Sequence, residues 1–182
     1  MNFIKTKLKD CIIIEPDIFS DPRGFFLETY NHKKYINSLN IESEFVQDNH
    51  SFSKKNVLRG LHYQKNKPQG KLVRVLSGEV YDVAVDLRHE SRTFGEHVSV
   101  ILTGENKKQL WVPPGFAHGF LVLSEEAHFE YKCTQYYDKH DEHCIIWNDP
   151  DLNIKWPSNN PVLSIKDLDG KNFKKLNKGL SQ

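Results

Sequence analysis

EVYDVAVDL, residues 79–87, is the stretch whose reading decides the fold. Tyr81, Val83, Val85 and Leu87 alternate with Val80, Asp82, Ala84 and Asp86, and a period of two marks a strand with one face on a core. Similar short β-type runs occur to either side, at 11–14, 24–30, 44–52, 57–64, 71–76, 97–102, 108–112, 119–123 and 127–136. Turn signals separate them: Asp21-Pro22-Arg23-Gly24, Ser77-Gly78, Thr103-Gly104-Glu105-Asn106 and Pro113-Pro114-Gly115. Many short strands at this spacing predict an antiparallel all-β sandwich or barrel. Only HKKYINSL, 32–39, reads as helix, for about two turns. The polar segment from 158 onward, close to Pro157 and holding Pro161 and Gly170, is expected to wrap the surface in loops and short helical pieces. No repeat or linker divides the chain, so residues 1–182 are read as one domain.

Composition narrows the function classes. The formal net charge is +1, with acids and bases mixed, so no basic stripe points to nucleic acid. No apolar run approaches the roughly 20 residues of a membrane span. The apolar stretch Cys11–Ile14 behind Lys5, Lys7 and Lys9 is too short for a secretory signal. Cys11, Cys133 and Cys144 are odd in number and far apart, which argues against a disulfide framework and for a reducing cytoplasm.

Two segments could carry chemistry: VLRGLHYQ at 57–64 and WVPPGFAHGF at 111–120. Each sets one histidine near the end of a short apolar run bracketed by glycine or proline. On an ideal strand His62 faces the same way as Leu58, Gly60 and Gln64, and Arg59 faces the other way. A bulge at Gly60 would let Arg59 and His62 share one cavity. His118 lies in a P-x-G-x-x-H pattern similar to the second motif of cupin barrels, where the histidine is often a metal ligand. The first cupin motif would supply H-x-H and then Glu, but the matching place reads His62-Tyr63-Gln64. A metal reading therefore fails on ligand count, and no metal is expected. Lys71 shares parity with Val73 and Val75, an unusual place for a charge that is costly to bury. On pattern alone Tyr131 reads as a core tyrosine, Arg23 as a solvated turn arginine and Asp167 as an ordinary loop acid.

Nearly the whole chain resembles the dTDP-4-dehydrorhamnose 3,5-epimerase family, the RmlC-type cupins. The matching stretches are FSDPRGFFLETYN (19–31), FVQDNHSFSKKNVLRGLHYQ (45–64), QGKLVRVLSGEVYDVAVDLR (69–88), SRTFGEHVSVILTGENKKQLWVPPGFAHGFLVLSE (91–125) and EYKCTQYYDKHDEHCIIWNDPDLNIKWP (130–157). The resemblance implies a cupin jelly roll (a double-stranded β-helix) with short peripheral helices. It also implies a homodimer that exchanges an N-terminal strand, and a dTDP-linked 4-keto-6-deoxy sugar as substrate. His62 matches the family's catalytic base, Asp167 the carboxylate that orients it, Tyr131 the proton donor and Lys71 the lysine beside the ketone. Arg23, Glu28, Gln47, Asn49, Arg59, His118, Glu142 and Lys166 match substrate-contacting positions. Phe19, Phe26, Tyr136 and Tyr137 are candidates to stack on the nucleobase.

The implied chemistry is consistent with these residue types. A ring ketone acidifies the hydrogens on both flanking carbons. Histidine, with an ordinary pKa near 6.5, is a suitable base. An ammonium stabilises the enolate oxygen as its charge develops. Tyrosine, titrating near 10, can return a proton from the opposite face. No cofactor is required. The competing readings are a single-centre epimerase, a 3,4-ketoisomerase on a related 4-keto nucleotide sugar, and a sugar-binding module that has lost the chemistry.

Overall fold

The computed structural model describes residues 1–39, 41 and 44–174. In chain order its elements are β1 (Asn2–Lys5), β2 (Ile12–Glu15), β3 (Phe19–Asp21), β4 (Gly24–Phe26), α1 (His32–Leu39), β5 (Gln47–Lys54), β6 (Leu58–Gln64) and β7 (Lys71–Ser77). They continue with β8 (Glu79–Asp86), β9 (His97–Thr103), β10 (Gln109–Val112), β11 (Phe116–Val122), β12 (Glu126–Cys133), β13 (Glu142–Cys144) and α2 (Ile165–Leu168). A six-stranded sheet in the order β1-β2-β10-β7-β12-β5 packs on a five-stranded sheet in the order β13-β6-β11-β8-β9. Every strand pairing is antiparallel. This is the jelly roll the sequence resemblance implies. The helix falls on residues 32–39 as its pattern predicts, while β1, β3 and β13 escaped the sequence reading. The part of the expected C-terminal wrap at 175–182 lies outside the described residues.

The alternation in 79–87 is real, but its one-face reading needs correction. Val80 and Ala84 of β8 pack between the sheets with Val73, Val75, Leu102, Phe120 and Phe129. Val83 and Val85 are just as buried, in a second core on the outer side. Ile145, Leu152, Trp156 and Phe173 from the C-terminal segment cover that side. All seven residues of β11 are buried for the same reason. A third core joins Tyr35 and Leu39 of α1, one helical turn apart, to Ile12, Ile14, Leu72 and Trp111. The Tyr35 hydroxyl, fully buried, bonds Gln109 Oε1 at 2.9 Å.

The bulge that a glycine at position 60 would permit is present. His62 pairs with His118 and Arg59 with Phe120, so three steps along β6 match two along β11. Leu58 and Leu61, three residues apart, consequently both face the outer core. Arg59 and His62 both line the cavity between the sheets. Gly60 has φ +111°, a region side chains rarely adopt, and a Cβ there would sit 2.6 Å from the His118 carbonyl oxygen. Glycine at this position allows the two strands to approach while β6 re-aims its side chains.

Candidate active site

The cavity at the mouth of the barrel has a volume of about 410 Å³. Its wall is built from β5, β6, β7, β11, β12, β13 and the start of α2. The half-buried His62 hydrogen-bonds through Nε2 to Asp167 Oδ1 at 2.5 Å. With the carboxylate accepting from Nε2–H, the lone pair of the ring is on Nδ1. Asp167 is itself held on several sides. The Ser164 hydroxyl donates to Oδ2 at 2.7 Å, and the Gly60 N–H donates to Oδ1 at 3.3 Å. Burial pushes this carboxyl up, but the bonds from His62 and Ser164 outweigh it and hold the group below its ordinary range. Asp167 is thus a carboxylate that fixes the histidine tautomer, the logic of oriented-histidine sites.

Lys71, at the start of β7, and Tyr131, on β12, occupy the adjoining wall, with the Lys71 ammonium 5.8 Å from the centre of the Tyr131 ring. Burial pushes the Lys71 pKa down. Burial, reinforced by the fields of Cys133 and Glu142, pushes the Tyr131 phenol up to about 12. The phenol keeps its proton near neutrality and can donate it. Glu142 bonds the Lys166 ammonium at 2.6 Å and the Tyr137 hydroxyl at 2.7 Å. These bonds, together with the nearby His62, keep it ionised despite burial. His118 points inward over Phe129, and its Nε2 lies 3.0 Å from both oxygens of the fully buried Asp82. Arg59 Nε donates to Ser53 Oγ at 3.0 Å. Gln47 donates to Asn49 at 2.9 Å and accepts the Tyr137 N–H at 2.8 Å.

Ten of the residues singled out in the sequence therefore meet in one cavity: His62, Tyr131, Asp167, Lys71, Gln47, Asn49, Arg59, His118, Glu142 and Lys166. Arg23 and Glu28 do not join them within this chain. Arg23 projects from the exposed hairpin of β3 and β4 and pairs with Asp21 at 2.5 Å. Glu28 is held by Asn31 at 3.1 Å and Lys34 at 2.8 Å. Among the stacking candidates Tyr137 reaches the cavity wall, whereas Phe19 and Phe26 flank Arg23 on the hairpin.

Sequence reasoning missed Ser51, Gln69 and Ser164 in the wall, and Asp82 behind His118. It also took the metal count from the two cupin motifs alone. In space, His62, Cys144 and Asp167 place three donor atoms within 4.8 Å of one another. Two of these groups, His62 and Asp167, are hydrogen-bonded to each other, and burial and the Asp167 charge push the Cys144 thiol up to about 12.

The family model for dTDP-4-dehydrorhamnose 3,5-epimerase matches residues 5–175. The chain belongs to the dTDP-4-dehydrorhamnose 3,5-epimerase family. It is 56% identical to the Shigella flexneri dTDP-4-dehydrorhamnose 3,5-epimerase over 174 residues, 95% of this chain and 96% of that protein. With the Pseudomonas aeruginosa epimerase it shares 53% identity over 174 residues, 95% of this chain and 96% of that one. The crystal structure of the RmlC epimerase from Legionella pneumophila in complex with dTDP-4-keto-L-rhamnose superposes with a TM-score of 0.95 at 53% identity, covering 98% of this chain and 96% of that one. A 3'-monoepimerase from Streptomyces bikiniensis, in complex with dTDP-quinovose, has a TM-score of 0.90 at 29% identity, covering 96% of this chain and 89% of that one. Proteins named as a 3,5-epimerase and as a 3'-monoepimerase thus share this barrel.

Proposed function

We propose that this protein epimerises dTDP-4-dehydro-6-deoxy-D-glucose at carbons 3 and 5, giving dTDP-4-dehydro-L-rhamnose without a cofactor. The observation that carries the reading is the arrangement of an oriented base, His62–Asp167, with a neutral phenol, Tyr131, and an ammonium, Lys71, in one cavity. The relatives at 50–56% identity bear the 3,5-epimerase name, whereas the one-centre enzyme stands at 29%.

In this mechanism His62 Nδ1 takes the proton from a carbon beside the ketone. The electron pair moves to the carbonyl oxygen, where Lys71 stabilises the enolate. Tyr131 returns a proton to the opposite face of the same carbon, and the configuration inverts. His62 then loses its proton to solvent and Tyr131 regains one, after which the second flanking carbon follows the same course. Arg59 and Lys166 suit the diphosphate, and Tyr137 is the aromatic at hand for the base. Gln47, Asn49, His118 and Glu142 fix the sugar and nucleotide within the cavity.

Arg23 and Glu28 complete the site from a second copy of the chain, in a homodimer that exchanges its N-terminal strand segment. The exposed Phe19, Phe25 and Phe26 around Arg23 support this, since a hairpin so apolar is suited to burial against a partner. The chain works as a single domain in the cytoplasm, and its product feeds cell-surface polysaccharide. Its three free cysteines are compatible with that reducing compartment. Among the described residues no helix is long and apolar enough to cross a membrane.

The test is NMR of the product formed from dTDP-4-keto-6-deoxyglucose in deuterated water. Deuterium at both carbons flanking the ketone is the expected result. Label at one carbon only would establish a single-centre epimerase. Migration of the carbonyl would establish a ketoisomerase.

A further inference from the structure

Among the described residues, His62, Cys144 and Asp167 form the one group of three histidine, cysteine or acidic side chains whose donor atoms lie within 4.8 Å of one another. The proposed mechanism uses two of them and leaves Cys144 without a part. Strand pairing sets Cys144 of β13 opposite His62 of β6. Its Sγ lies 3.8 Å from Asp167 Oδ1, the same oxygen that bonds His62 Nε2 at 2.5 Å. One nitrogen, one sulfur and one oxygen thus converge from three elements. That is the donor set of a tetrahedral zinc site with one position left for water. It differs from the cupin metal set, to which the second motif would contribute His118, since His118 is held by Asp82.

The geometry is close to what such a cation needs. The bond lengths of zinc imply tetrahedral edges of about 3.4 Å between nitrogen and oxygen and about 3.6 Å between sulfur and oxygen. The Sγ–Oδ1 separation already fits. The Nε2–Oδ1 pair has to open by about 0.9 Å, which the His62 ring, facing the cavity, supplies by turning. The supporting groups are also in place. The Ser164 hydroxyl and the Gly60 N–H fix the Asp167 carboxylate. Glu142 Oε1 stands 4.0 Å from His62 Nδ1, and a metal-bound histidine typically donates its other ring N–H to such a carboxylate. We propose that His62, Cys144 and Asp167 form an inhibitory site for a thiophilic divalent cation of the Zn²⁺ class. The cation takes lone pairs from Nε2, the thiolate and Oδ1. The thiol proton leaves to solvent, and the imidazole proton moves from Nε2 to Nδ1. Nδ1 then has no lone pair with which to take a proton from the sugar, so the ion switches the base off. The inhibition rests on the epimerase reading, whereas the binding does not.

The experiment titrates chelator-treated wild type, Cys144→Ala and Cys144→Ser with Zn²⁺, following epimerase turnover, and with Co²⁺, following the absorption spectrum. In wild type, Zn²⁺ is expected to abolish turnover, EDTA to restore it, and Co²⁺ to give a sulfur-to-cobalt charge-transfer band. Both variants are expected to keep the wild-type kcat/KM without metal, to need at least about 10-fold more Zn²⁺ for half-inhibition, and to lose the charge-transfer band. Turnover unaffected by excess Zn²⁺ would overturn the proposal. So would equal inhibition of the two variants, or a cobalt band that survives Cys144→Ala. The cobalt spectrum does not depend on turnover, so failure of the epimerase reading and failure of the metal site are told apart.

Discussion

His62 and Asp167 are 105 residues apart in sequence and 2.5 Å apart in the fold. The carboxylate reaches the histidine because Ser164 caps the short helix α2, accepting the Asp167 N–H at 3.2 Å and donating to its side chain. The proposed general base is therefore an assembled pair, one member on a barrel strand and the other on a peripheral turn.

His62→Asn removes the base while leaving the phosphate and nucleobase contacts in place. Turnover is expected to fall by at least about a thousandfold, the scale for a general base acting within an oriented pair, with dTDP affinity close to wild type. Steady-state kinetics and calorimetric titration check both halves. A variant that kept most of its turnover would remove His62 from the mechanism.

Tyr131→Phe keeps the ring packed against Phe129 and deletes only the proton donor. In deuterated water the variant is expected to exchange substrate hydrogen beside the ketone faster than it forms epimerised product. Asp167→Asn is the control, since it acts through His62 and slows exchange and epimerisation together. Equal loss of both rates in Tyr131→Phe would end its separate role.

In the proposed mechanism the alkaline limb of kcat/KM is expected to report Lys71. That mechanism uses its ammonium, and burial moves its pKa down, so charge is lost earlier as pH rises than from an ordinary lysine. The Tyr131 phenol, pushed up to about 12, stays protonated through that range. Lys71→Arg, which holds its charge throughout, is expected to lower the rate but flatten the limb up to about pH 10. A limb that persists unchanged in the arginine variant would belong to another group.

Gly60→Ala tests the bulge. The new Cβ would meet the His118 carbonyl at 2.6 Å and Gly119 Cα at 2.7 Å, at a φ of +111°. Both contacts are backbone and cannot rotate away. A loss of about 3 kcal/mol is expected, seen as a fall of about 6–12 °C in melting temperature, with loss of activity as Arg59 and His62 are displaced. Wild-type stability in this variant would mean that β6 accommodates the change elsewhere.

The sequence was most legible where periodicity is local. α1 declares itself through Tyr35 and Leu39, and the central strands through alternation between turns. The bulge could be anticipated because glycine beside a pocket histidine has a physical use. What stayed hidden depends on distant partners. The second buried face of β8 is invisible in EVYDVAVDL because its cover comes from Ile145 to Phe173. Asp82 gives no local sign that it pairs with His118, 36 residues on. The grouping of Cys144 with His62 follows from β13 pairing with β6, and a strand of three residues is too short for a pattern. Ser51 sits unremarked among the polar residues of QDNHSFSK, since its lack of a partner exists only once the barrel is closed.

The segment that seals the outer face of β11 and β8 is also the segment that carries Asp167 and Lys166. Its packing thus both finishes the second core and brings Asp167 to the histidine. A chain still emerging from the ribosome possesses His62, Lys71 and Tyr131 long before it possesses the carboxylate that pairs with His62. On the proposed mechanism, activity is consequently a readout of completed folding: a molecule whose C-terminal segment is undocked lacks both the cover of the second core and the Asp167 contact to His62.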